Sequence, residues 1–160
     1  METEQKKPTV VPLFFDNYLA VIKNSVGSTM FRNWYCEVDG VRQEVMRDGN
    51  FSCALYVTSI LKMFGLVAEI QITVHRAIAE LERDGWQKIA APRLGAVIVW
   101  DAKPSNKDME WHSSLAKHIG FCLDETMAVS HLGETQKPTQ HSLTYRPILG
   151  YYWHHELEKK

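Results

Sequence analysis

Cys53 stands near the start of the stretch DGNFSCALYVTSILKMFGL, residues 48–66, at the head of an apolar run with a helical period. Tyr56, Val57, Ile60, Leu61 and Phe64 follow it at i+3, i+4, i+7, i+8 and i+11, the stripe of a helix packed on a core. Asn50 or Ser52 is expected to cap that helix, because a short polar side chain accepts hydrogen bonds from first-turn amides that have no partner within it. A thiol in the first turn lies where a helix carries about half a positive charge and free N–H groups. That setting favours the thiolate, which is the nucleophile, and the same amides can hold the oxyanion of a tetrahedral intermediate. The sequence therefore points to Cys53 as a nucleophile, with the amides near Ser52 and Cys53 binding the substrate carbonyl. The competing reading is a small hydrophobe at the head of a core stripe, as most free cysteines are.

A thiol hydrolase needs an imidazole to take the thiol proton and return it to the leaving group. KHIGFCL offers His118: in a strand, His118, Gly120 and Cys122 face one way while Ile119, Phe121 and Leu123 face the other. Gly120, beside His118 on one face, is expected to leave room for the helix end. A third polar group should orient the imidazole, and the next strand, MAVSHLG, supplies two candidates. A two-residue turn of Asp124 and Glu125 puts His131 opposite His118; a three-residue turn of Leu123 to Glu125 selects Ser130 instead. His131 is favoured, since an imidazole reaches farther and orients a ring better than a hydroxyl.

The elements that must position these groups follow from the rest of the chain. With 160 residues, 45% of them hydrophobic, the sequence suffices for one compact domain over residues 1–160 and not for two. Residues 14–24 read as a short helix, and Asp39-Gly40 as a hairpin turn whose first arm carries Trp34 and Tyr35, expected in the core rather than in a cleft. A second helix is expected from about Thr73 to Asp84, with Gly85 as its stop. After Pro92 come LGAVIVWD, KHIGFCL, TMAVSH and ILGYYWH, four short runs of strand character. Helices first and strands afterwards give an α+β class, with N-terminal helices packed on a largely antiparallel sheet. The polar stretch from Lys103 to Ser114 is expected over the cleft, with Trp111 and His112 as its contacts. SHLGETQKPTQHS reads as a solvated loop, or else as a second wall bringing Lys137 and His141 near an anionic substrate. The tail YYWHHELEKK is expected to begin as the last strand and end in solvent.

A cysteine at a helix start in NFSCALYVTSIL, then GAVIVW, then HIGFCLDETMAVSH, resembles the NlpC-like branch of the papain-like cysteine peptidases. In that family a Cys-bearing helix precedes a Gly-Asp-hydrophobic strand, a His-hydrophobic-Gly strand and a hairpin partner with a third polar residue. The resemblance runs from Asn50 to His131, half the chain. It implies a papain-like fold, Cys53 as nucleophile, His118 as general base, and His131 or Ser130 as orienter. It further implies cleavage of peptide-like amides, notably in cell-wall peptides, so the expected partner is a peptide or muropeptide-like substrate. The family's Asp-Cys-Ser-Gly is Ser52-Cys53-Ala54-Leu55 here, its Gly-Asp is Gly95-Ala96, and its third position, aligned without gaps, falls on Ser130. These departures keep two alternatives open on the same fold: a catalytically silent binding domain, and a thiol acyltransferase or deamidase.

Composition excludes several other classes. The 18 basic and 19 acidic residues lie without long blocks, so neither nucleic acid nor a membrane surface is an expected partner. No signal-peptide pattern opens the chain and no apolar run is long enough to span a membrane, so a cytoplasmic site is expected, with export by another route left open. Three cysteines without a CxxC pair argue for a reducing compartment rather than a disulfide scaffold. The seven histidines lack zinc-ligand spacing, so no metal or other cofactor is expected.

Overall fold

A computed structural model of the chain describes residues 5–102 and 117–159. Three helices form where the apolar period is helical: α1 (Phe14–Asn24), α2 (Cys53–Met63) and α3 (Val74–Arg83). Thr73 caps α3 by accepting a hydrogen bond from the Arg76 amide at 3.3 Å. The expected side-chain cap on α2 is not made. Ser52 holds the cap position with its hydroxyl unbonded, and the Asn50 amide donates backward to the Arg47 carbonyl. Burial on nearly all sides holds α2 instead: Ala54, Leu55, Tyr56, Val57, Thr58, Ile60 and Leu61 are all buried.

The Asp39-Gly40 turn forms as expected, both residues at positive φ (50° and 77°), between β1 (Tyr35–Val38) and β2 (Val41–Glu44). This hairpin is its own two-stranded sheet with both faces largely in solvent. Trp34 and Tyr35 are consequently exposed, contrary to the expected core placement.

The remaining strands form one six-stranded sheet: β3 (Gln87–Ile89), β4 (Val97–Trp100), β5 (His118–Cys122), β6 (Met127–Leu132), β7 (Lys137–Ser142) and β8 (Ile148–Trp153). Their order is β3-β8-β4-β5-β6-β7 and each pairing is antiparallel, so the class is α+β with helices on an antiparallel sheet. β7 replaces the expected solvated loop. Its polar sequence KPTQHS and internal proline hide it, but Pro138 lies on an edge strand, where a missing N–H costs no ladder bond. The tail begins as β8 and ends in solvent at Glu158 and Lys159, as expected, but a 3₁₀ turn at His155–Glu158 buries Leu157 on the way.

Aromatic rings join helices to sheet. Tyr56 of α2 meets Phe121 of β5 edge to face at 5.6 Å, Tyr18 of α1 meets the same ring at 6.0 Å, and the Tyr18 hydroxyl donates to the Gly95 carbonyl at 2.8 Å. These contacts press the first turn of α2 against β5. The stretch expected over the cleft, with Trp111 and His112, lies outside the described residues.

Candidate active site

Strand register decides which histidine and which hydroxyl meet. β5 and β6 pair Phe121 with Val129 and Cys122 with Ala128, which continues to Gly120 opposite Ser130 and Ile119 opposite His131. The connection is longer than either expected turn. The Asp124 carboxylate accepts from the amides of Thr126 and Met127, both at 2.7 Å, and the Leu123 amide donates to the Met127 carbonyl. A one-residue slip turns a side chain to the other face. His131 therefore faces Tyr56 on α2, ring centroids 6.3 Å apart, and does not orient His118. Ser130 does so: its Oγ lies 2.7 Å from His118 Nε2.

Gly120 makes room, but not for the helix. A Cβ there would lie 2.5 Å from the Val129 carbonyl oxygen, 2.8 Å from Ser130 Cβ and 3.0 Å from the Trp100 ring. The space is taken by the tryptophan opposite His118 on β4, whose indole donates to the Leu143 carbonyl at 2.8 Å. Two of the three clashing atoms belong to the neighbouring strand and cannot rotate away. Gly120→Ala is expected to cost about 2–3 kcal/mol, read as a lower urea midpoint at unchanged m; an unshifted midpoint would refute this packing.

Ser130 is shared. His141, on β7 and on the same face, places Nε2 2.6 Å from Ser130 Oγ and Nδ1 2.9 Å from the Ser142 carbonyl oxygen. The sequence offered His141 on a solvated loop, or else on a second wall near an anionic substrate; it is the far end of a His118–Ser130–His141 chain. The alternation of Thr139 and His141 was the available signal, legible only once β7 is known to be a strand. Trp100 packs on both imidazoles, at 5.5 Å and 5.4 Å, and Tyr145 lies 5.9 Å from His118 and 4.2 Å from His141.

Cys53, His118 and His131 line one cavity of about 400 Å³, within the range of small-ligand sites. Its walls are Asn50 and Phe51 ahead of α2, Ile72 to Val74 at the start of α3, Lys117, Leu132 to Glu134 at and just beyond the end of β6, and Arg146. Arg146, which the sequence gave no reason to choose, adds a positive charge that acts on Cys53. Ser52 is absent from the lining and fully buried, its hydroxyl without a hydrogen bond, so its side chain does not reach a substrate. Only its main chain remains for the expected role.

Burial pushes the Cys53 thiol above its ordinary value; interactions with the Ile119 and Ala54 backbone and the Arg146 charge oppose this without outweighing it. Desolvation of the anion outweighs these favourable contacts. The resting group is a thiol, not the thiolate expected from its position. Its alkylation rate by iodoacetamide should keep climbing from pH 7 to pH 9, and a plateau below pH 7 would show a standing thiolate. His131 is held neutral as well: it is 1% exposed, and burial lowers its pKa to about 4 against a weaker opposing interaction with the Gly49 backbone.

Among the described residues no three His, Cys, Asp or Glu side chains are grouped to hold a metal ion, and no helix is long and apolar enough to cross a membrane. Compared with family models, curated proteins and solved structures, the chain matches none.

Proposed function

We propose that this cavity is the site of a thiol hydrolase of papain-like, NlpC type, which cleaves a peptide-like amide through an acyl-enzyme. The observation that carries the reading is the meeting in one cavity of a helix-start cysteine and an imidazole held by a buried hydroxyl. Cys53 attacks the carbonyl carbon while His118 takes its proton; Nε2 is engaged by Ser130, so Nδ1 is the receiving nitrogen. The carbonyl oxygen becomes the oxyanion, and the first-turn amides of α2 are its donors. His118 returns the proton to the amine as the C–N bond breaks, leaving a thioester. Water, deprotonated by His118, then cleaves that thioester and restores the thiol. A base acting during attack suits a thiol that is protonated at rest.

A cell-wall peptide is the substrate class the resemblance suggests, and a reducing cytoplasmic setting suits three free cysteines. The raised thiol pKa favours a second reading, a silent domain that binds peptides in the same cavity. A screen of peptide amides, isopeptides and peptide thioesters separates them. Turnover that disappears with Cys53 supports the hydrolase. Peptide binding without turnover, or turnover that survives loss of Cys53, overturns it.

A further inference from the structure

The direction of the His118–Ser130–His141 chain can be worked out from its far end. A carbonyl oxygen only accepts, so the 2.9 Å contact between His141 Nδ1 and the Ser142 carbonyl places a proton on Nδ1. Burial disfavours the imidazolium of His141, with the Arg146 charge acting the same way; the Ser142 carbonyl and Glu134 oppose them more weakly. In the neutral ring Nε2 is then a bare lone pair, 2.6 Å from Ser130 Oγ. The serine must spend its one proton there. Its oxygen is left as an acceptor toward His118, whose Nε2 at 2.7 Å must carry the proton of that bond. A neutral His118 with its proton on Nε2 has its lone pair on Nδ1.

We infer that His141 is a positioning residue, which acts through the Ser130 hydroxyl to hold His118 in the Nε2–H tautomer and so leaves Nδ1 as the base. Without an acceptor beyond it, Ser130 can donate to His118 Nε2 instead, and the imidazole then carries its proton on Nδ1, where it cannot accept one. The flanking rings of Trp100 and Tyr145 fix the planes of both imidazoles, and the Tyr145 hydroxyl also interacts with Ser130, where it can donate to the Ser130 oxygen without taking the proton that His141 Nε2 requires. The choice of which nitrogen is protonated enters the chain at the Ser142 carbonyl. The tautomer follows from the hydrogen bonds together with the neutrality of the buried His141 ring, while its catalytic consequence rests on the hydrolase reading above.

Long-range ¹H–¹⁵N correlation spectra of histidine-labelled protein near pH 7.5 test the inference. In the parent, His118 should appear as the Nε2–H tautomer and His141 as Nδ1–H. His141→Phe should give His118 an Nδ1–H population and slow iodoacetamide labelling of Cys53 several-fold, and His141→Gln, whose amide oxygen can accept from Ser130, should restore both. An Nδ1–H His118 in the parent overturns the inference even if His141→Phe does not fold. So does a folded His141→Phe protein with unchanged tautomer and labelling. Should the tautomers be as expected while Cys53 never forms a thioester, the chain polarity stands and the hydrolase reading falls.

Discussion

The Cys53→Ala protein should fold as the parent does and turn over none of the amides or thioesters that the parent cleaves. Removing a covalent nucleophile from a catalytic group of this kind costs about 10⁴–10⁶ in kcat, because the remaining groups have nothing to activate. The structural cost is small. Cys53 is half-buried at the head of α2, and the helix is held by Tyr56, Val57, Ile60 and Leu61, all at 0% exposure. Loss of one sulfur there should lower the unfolding free energy by about 1 kcal/mol or less. Cys36→Ala is the companion control, on the solvent-exposed β1–β2 hairpin and away from the cavity. Product formation measured by chromatography, alongside urea unfolding of both variants, checks the prediction. Comparable turnover by Cys53→Ala would remove the nucleophile from the account.

What the sequence could disclose depended on whether the information was local. The apolar stripe of α2 is a property of consecutive residues, so its start at Cys53 could be read directly. The same holds for the Asp39-Gly40 turn and for α3 with its Thr73 cap. The partner of His118 was a different kind of question. It turns on how many residues bridge β5 and β6, and the Asp124 side chain settles that by bonding the amides of Thr126 and Met127, a longer connection than either turn considered. One residue of slip put His131 on the α2 face and left Ser130 with His118. The link of His141 to Ser130, and Arg146 altogether, could not be read for a further reason: both depend on β7 being a strand and on where the chain returns after it. The expected thiolate fails because burial of the Cys53 thiol disfavours the anion more than the neighbouring backbone and the Arg146 charge favour it.

Acid should destabilise the fold through His131. The unfolded chain binds a proton on this imidazole near pH 6.5, whereas burial keeps the folded one neutral down to about 4. Between those values the unfolded state carries more protons, so stability is full above about pH 6.5 and falls as pH drops toward 4. A gap of this size corresponds to roughly 3 kcal/mol at the bottom of the window. The physical origin is a ring at 1% exposure packed beside Tyr56, where loss of water disfavours the imidazolium more than the Gly49 backbone favours it. Urea unfolding of the parent and of His131→Phe at pH 7, 5.5 and 4.5 should show the parent losing stability faster, with the curves diverging as pH falls. Parallel curves would mean that the imidazole finds a partner for its charge in the folded state.

The most direct test of the central claim compares iodoacetamide labelling of each cysteine in the parent and in His118→Ala at pH 8, resolved by peptide mass spectrometry. The reagent is small enough to enter the cavity, and Cys36 provides an internal reference on the exposed hairpin. If His118 is the base for Cys53, labelling of Cys53 should slow by about 10²-fold in the variant while labelling of Cys36 is unchanged. Equal rates at Cys53 in the two proteins would contradict it, leaving a core cysteine at a helix start beside an imidazole that does not serve it.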